Sequence, residues 1–272
     1  MYMRYSMPET VDLFLFAGQS NMAGRGITCP RFPDPAPALL PGAGWEFRAV
    51  SSPDRLFPIE EPFGVNENRR DGISESIKTG SMVTAFANAY YTAGHVPLVG
   101  VSASKGGSVI AEWMPGSAYL TDALARLQDA RIWLQRSGYI LRHIFCLWCQ
   151  GESDADAGTA FDVYRARFLS MFSTMSDAGI EHLFMVRIGR CNIPYAQSRY
   201  DSMIRWQDQI AREVPGVTMA SRLFADMQER GLMKDDFHYY QAGYNEVGQD
   251  AGTNAADFVL QIHAGVTSSI IP

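Results

Sequence analysis

No stretch of this sequence stays apolar for long. Runs such as Ile144 to Cys149 fall far short of the roughly 20 residues that span a bilayer. Positive charge is also scarce, with Lys+Arg 23 against Asp+Glu 29 and a net charge of −6. That balance argues against a nucleic-acid partner, whose phosphates are bound mostly by Lys and Arg, and no basic cluster suited to an anionic membrane occurs. Met1 to Thr10 carries one Arg and no apolar core, so no signal peptide is expected and the default compartment is cytoplasmic. Low-complexity tracts, internal repeats and interdomain linkers are absent as well.

Cysteine is sparse, at 4 in 272 residues, and a chain of that length is no disulfide-stapled miniprotein. Cys146 and Cys149 do form a C-x-x-C, a spacing used in redox and metal chemistry. Their surroundings, His143-Ile-Phe-Cys-Leu-Trp-Cys149, read as a buried strand. Residues three apart on a strand point to opposite faces, so these two are expected to be separate core thiols. What the chain does have is an apolar content of 47% with 19% charged residues, the balance of a globular domain with one large core.

The apolar pattern organises that core. Val11 to Ala17 reads as a buried parallel strand ending in Gly18. Residues 27–72 are rich in Pro, Gly and charge without periodicity, too long for an idle connection. They are expected to be a functional excursion or lid, packed down by Trp45, Phe47, Phe57 and Phe63. From there helices and strands alternate. Helices are expected over Met82–Tyr91, Ala118–Gln135, Ala160–Met175, Tyr200–Glu213 and Ala242–Leu260. Strands are expected over Val96–Val101, Ile144–Trp148, Leu183–Ile188 and Val217–Phe224. Such alternation implies βαβ units: one α/β domain over 1–272, a three-layer α/β/α sandwich with a mainly parallel central sheet.

Ligands of open parallel sheets bind beyond the carboxyl ends of the strands, so chemistry is sought at those junctions. The first, Phe16-Ala-Gly-Gln-Ser20-Asn-Met22, places Ser20 where a strand passes into a helix or turn. Such a serine suits either a nucleophile beside an oxyanion site or a helix cap. The G-x-S-x-G elbow is not present, since position 22 is Met. The second junction carries Gly106 and Gly107, whose missing Cβ atoms allow close backbone approach to a ligand or simply a flexible turn. Neither a P-loop nor G-x-G-x-x-G is formed there. The third, Trp148-Cys-Gln150-Gly-Glu152, offers an amide donor at Gln150, with Glu152 placed to orient Gln150 or a loop amide. A polar helix cap is its plainer reading. Finally, Asp235 stands three residues before His238, so one turn puts a carboxylate on the imidazole Nδ1 and leaves Nε2 as a base. His95, His143, His182 and His263 have no such partner pattern, and no metal-ligand spacing surrounds His238. Together a strand-end serine, a glycine pair, a glutamine and an Asp-x-x-His assemble a nucleophile, an oxyanion site and a base with its orienter.

These four segments resemble the blocks of the SGNH (GDSL-like) hydrolase superfamily, in the branch of sialate O-acetylesterases and acetylxylan esterases of carbohydrate esterase family six. Gly18 to Met22 is similar to its G-Q-S-N-M block and Gly106 to Trp113 to its G-G-S/T-x-I-x-x-W block. Trp148 to Glu152 is similar to W-x-Q-G-E, and Asp235 to His238 to D-x-x-H. The resemblance implies a flavodoxin-like SGNH hydrolase fold with Ser20 as nucleophile, His238 as base and Asp235 as its partner, with Asp236 adjoining as an alternative orienter. It also implies an oxyanion hole from the N–H groups of Ser20 and Gly106 and the side chain of Gln150, each donor contributing ~3–4 kcal/mol. Gln19, Asn21, Gly107 and Glu152 would support these groups.

The implied reaction is removal of an O-acetyl group from a carbohydrate, an acetylxylan or a sialic-acid-like glycan, through an acyl-enzyme. No metal or organic cofactor is required. Trp45, Trp113 and Tyr119 are candidate platforms for a sugar, Trp113 foremost, and core positions otherwise. Three other readings stay open from the residues: a short-acyl lipase or thioesterase on the same apparatus, a non-catalytic carbohydrate-binding relative, and a redox or metal protein built on Cys146 and Cys149.

Overall fold

The computed structural model describes residues 9–268, so the N-terminal reading falls almost wholly outside the described residues. A 7-stranded sheet forms the middle layer, in the order β3-β2-β4-β1-β5-β6-β7. Its strands are β1 (Thr10–Gly18), β2 (Gly44–Phe47), β3 (Leu56–Pro58), β4 (Leu98–Ser104), β5 (Ile140–Cys149), β6 (His182–Val186) and β7 (Val217–Ser221). All neighbours pair in parallel except β2 with β3. The sheet confirms the expected architecture and adds two strands at one edge.

Those two strands come from the excursion at 27–72, which is therefore part of the sheet and not a lid over it. Trp45 packs against Tyr139 and Phe47 against Trp133, contacts with distant residues that no local periodicity announces. Buried Arg126 fastens the rest of the excursion, donating to the carbonyls of Glu67, Ile73 and Ser102 while paired with Asp122.

Alternation along the strands divides the core in two. Leu13, Leu15 and Cys146 face a layer of α3 (Ala118–Arg136), α5 (Phe161–Asp177) and α6 (Gln197–Glu213). Phe14, Phe16 and Cys149 face α2 (Val83–Gly94) and α7 (Gln241–Ser268). Each fully buried aromatic or aliphatic side chain contributes roughly 1.5–3 kcal/mol. Cys146 and Cys149 accordingly lie on opposite sides of the sheet. Burial pushes both thiols up, away from the thiolate that redox or metal chemistry needs.

Most element boundaries agree with the sequence pattern to within two or three residues. The helix α2 runs on through Gly94 and is stopped by His95, which takes a left-handed conformation with φ 55°. The last strand ends at Ser221, and Leu223–Asp226 winds into a 3-10 turn. Two short helices follow strand ends: α1 (Ser20–Ala23), at the strand-to-helix passage expected at Ser20, and α4 (Glu152–Ala157), which the sequence pattern does not announce. Among the described residues, no helix is long and apolar enough to cross a membrane.

Candidate active site

The chain runs from β1 to one side of the sheet and later crosses to the other, so β1 lies between β4 and β5. This is the topological switch point where open α/β sheets bind ligands. The register carries three junctions to one level, because Gly18 pairs with Ser104 on β4 and with Cys149 on β5. The turn out of β1 is tight: Gly18 has φ 138°, and a Cβ there would stand 2.0 Å from the Cys149 carbonyl oxygen. Only glycine fits that position. The chain then turns at once into α1, which begins at Ser20.

His238 Nε2 lies 3.0 Å from Ser20 Oγ, although 218 residues separate the two in sequence. Its Nδ1 lies 3.0 Å from both carboxylate oxygens of Asp235. Asp235 Oδ1 also accepts from the N–H groups of Phe237 and His238, at 2.9 and 2.8 Å. Lys234 Nζ approaches Oδ2 at 3.0 Å. Burial opposes ionisation of Asp235, but these donors outweigh it and hold the carboxyl at about 2. Partial burial, helped by the charges of Arg25 and Lys234, keeps His238 below the usual histidine range despite Asp235. A neutral imidazole with its proton on Nδ1 leaves Nε2 able to accept the Ser20 proton. Asp236 is exposed and is used through its backbone, accepting from the Asn192 N–H at 3.0 Å.

The expected oxyanion donors are less free. As the first residue of a helix, Ser20 has no intrahelical acceptor for its N–H. The Gly106 N–H, by contrast, donates to the buried carboxylate of Glu75 at 2.6 Å. Glu75 is paired in turn with buried Arg25, at 3.0 Å. A Cβ on Gly106 would stand 2.5 Å from Arg25 Nη2 and 2.6 Å from Glu75 Oε2, so this glycine makes room for an ion pair. Gln150 is fully buried and its Nε2 is committed to Asp154 at 2.6 Å and to the Ser108 carbonyl at 3.1 Å. In this conformation Gly106 and Gln150 thus serve internal carboxylates and not an oxyanion site, a departure from the expected role. Gly107 is exposed, with a left-handed φ of 74° and open space around its Cα.

The supporting residues are all close by. Gln19 Oε1 accepts from the N–H groups of Gly151 and Ser153, at 3.2 and 3.3 Å, which ties the Ser20 turn to the junction after β5. Of the two partners expected for Glu152, Gln150 or a loop amide, the structure gives it neither: it accepts from the side-chain amide of Asn21, Nδ2, at 2.6 Å. Glu75 and Arg25 are the residues that sequence reasoning missed. Arg25 has only its closeness to Ser20 as a signal, and Glu75 lies past the excursion outside any motif.

The aromatic platforms fare differently. Trp113 has no exposed surface; its Nε1 donates to Ser108 Oγ at 3.0 Å, and its ring meets Trp148 edge-on at 5.1 Å. It is a core residue and offers no face to a sugar. Trp45 and Tyr119 are half-buried and packed on the same core. Among the described residues, no group of three or more His, Cys, Asp or Glu side chains is arranged to hold a metal ion.

Comparison of the fold finds a protein from Arabidopsis thaliana with a TM-score of 0.64 and 20% identity, covering 91% of this chain and 98% of that one. NanS superposes with a TM-score of 0.62 at 12% identity, covering 94% of this chain and 99% of its own. A carbohydrate acetylesterase from Xanthomonas citri gives 0.53 at 16% identity, over 90% of this chain and 55% of that protein. At such identities the likeness is one of fold. Direct comparison with curated protein sequences finds no match. A family model does match, over residues 10–257, and it is that of "Carbohydrate esterase, sialic acid-specific acetylesterase". The match takes in every junction described above, and the chain belongs to this family of carbohydrate esterases, which are carboxylic ester hydrolases.

Proposed function

We propose that this protein is a serine esterase that removes O-acetyl groups from a carbohydrate through an acyl-enzyme on Ser20. The observation that carries the reading is the chain Asp235–His238–Ser20, with both His238 nitrogens engaged at 3.0 Å. His238 Nε2 takes the Ser20 proton as Oγ attacks the acetyl carbonyl. The Ser20 N–H faces the developing oxyanion. Asp235 keeps the imidazole in the required tautomer and stabilises the imidazolium. His238 then gives its proton to the leaving sugar oxygen. Water, activated by the same imidazole, frees acetate and restores Ser20. Gln150 supports the site from below through Asp154 and Ser108.

The test is acetate release from p-nitrophenyl acetate, an acetylated xylo-oligosaccharide and an O-acetylated sialic acid, with wild type beside Ser20→Ala. Wild-type release that the variant lacks is the expected result, and the preferred glycan names the substrate. Equal release by the two proteins would refute the serine mechanism. If both are inert on every acetylated sugar, a binding role replaces the catalytic one.

A further inference from the structure

Asn21, directly after the nucleophile, is fully buried and its carboxamide is engaged in three directions. Its Nδ2 donates to Glu152 Oε1 at 2.6 Å and to the Phe237 carbonyl at 3.2 Å. Its Oδ1 accepts from the Tyr244 hydroxyl at 2.6 Å. One side chain thus joins the nucleophile turn to α4, to α7 and to the peptide immediately before His238.

Glu152 anchors that junction unevenly. Its Oε1 holds Asn21, while Oε2 is buried with no hydrogen-bond partner among the described residues. The ionisable groups facing it are Asp154 and Asp156 from its own helix, Tyr164 from α5, Tyr200 from α6, Cys149 from β5 and Tyr239 from the segment before α7. None of them brings a positive charge. An orphaned carboxylate oxygen in such a place is where a proton settles. Burial, opposed by the Asn21 hydrogen bond, moves the Glu152 carboxyl up to about 7.

We propose that Glu152 is a positioning residue whose charge state, relayed by Asn21 and the Phe237 carbonyl, sets how His238 meets Ser20. Ionised Glu152 gives Asn21 a charge-assisted acceptor, the stronger kind of hydrogen bond. A proton on Oε2 leaves Oε1 as a neutral, weaker acceptor. The carboxamide then holds the Phe237 peptide less tightly, and reactivity is sensitive to small displacements of the base. The proposal rests on the serine-nucleophile reading above.

The experiment is covalent labelling of Ser20 by an alkyl p-nitrophenyl phosphonate, followed by mass and by rate from pH 5 to 9, in wild type and Glu152→Gln. Wild type is expected to label at Ser20 with a rate that rises in two steps. The lower step belongs to His238; the upper lies near pH 7 and amounts to roughly three- to tenfold. Glu152→Gln should keep only the lower step and stay roughly three- to tenfold slow at pH 8. Unchanged rates and profile in the variant would overturn the positioning role while leaving the serine mechanism standing. Absence of label on wild-type Ser20 would overturn both. Should the variant not fold, the wild-type profile decides: two steps sustain the proposal and a single step removes it.

Discussion

The backbone N–H of Gly106 donates to Glu75 at 2.6 Å, so the glycine expected to face substrate instead holds a buried carboxylate. The same carboxylate pairs with Arg25 at 3.0 Å, both side chains being almost fully buried. A double-mutant cycle separates structure from catalysis here. Glu75→Ala alone strands the guanidinium and is expected to cost about 3–5 kcal/mol. Replacing both partners by apolar residues, Arg25→Met with Glu75→Leu, should recover much of that loss. Urea midpoints for the single and double variants check this, and a loss below about 1 kcal/mol for Glu75→Ala would refute the pair's structural role.

Asp235 acts on His238 in two ways, and Asp235→Asn separates them. The carboxylate raises the imidazole's proton affinity and fixes its tautomer, while burial and nearby cations lower that affinity. Since His238 must be neutral to act as base, kcat/KM for p-nitrophenyl acetate should make its main fall below pH 6.5 as the ring gains a proton. Removing the carboxylate moves that fall to still lower pH. It also costs on the order of 10⁴ in rate, because the wrong tautomer is then free to form. A variant that kept wild-type kcat would reassign the orienter.

Much of this site was legible because its parts stand at strand ends that periodicity marks well. Leu13 to Ala17 and Ile144 to Cys149 are buried on both faces, and such continuous apolar runs are read directly from sequence. By contrast, β2 and β3 are short strands at one end of the sheet, and the β2 rings Trp45 and Phe47 pack on Tyr139 and Trp133 about 90 residues on, so nothing local distinguishes these strands from coil. Trp113 misled for a related reason. An aromatic near a glycine pair reads equally as platform or as core, and only the Trp148 ring across the layer decides. Glu75 illustrates the limit: its role exists only once Arg25 and Gly106 have been brought together from either side of it.

Trp113 yields a prediction that separates packing from recognition. With no exposed surface, it should leave KM for an acetylated oligosaccharide unchanged on conversion to Phe. The loss of its hydrogen bond to Ser108 Oγ, at 3.0 Å, and of indole volume should cost about 1–3 kcal/mol in stability. Steady-state kinetics beside urea unfolding read the two effects independently. A raised KM at unchanged stability would return Trp113 to the substrate site.

His182 predicts how stability depends on pH, away from the active site. Its ring packs 4.1 Å from that of Phe258, centre to centre, and its Nε2 lies 2.8 Å from Thr218 Oγ1. Burial lowers its pKa from 6.5 to about 4, so between those values the unfolded chain binds the proton and the folded chain does not. Stability must then rise with pH across that window, and it is lost as pH falls from 6.5 toward 4. The expected loss is roughly 2 kcal/mol after allowance for residual solvent screening. Unfolding in urea at pH 7 and pH 4.5 measures it against His182→Gln, which keeps a polar group for Thr218 but cannot titrate. The wild type should lose more stability between the two pH values than the variant does. Equal losses would mean that His182 is protonated in the folded protein, contrary to its burial against Phe258.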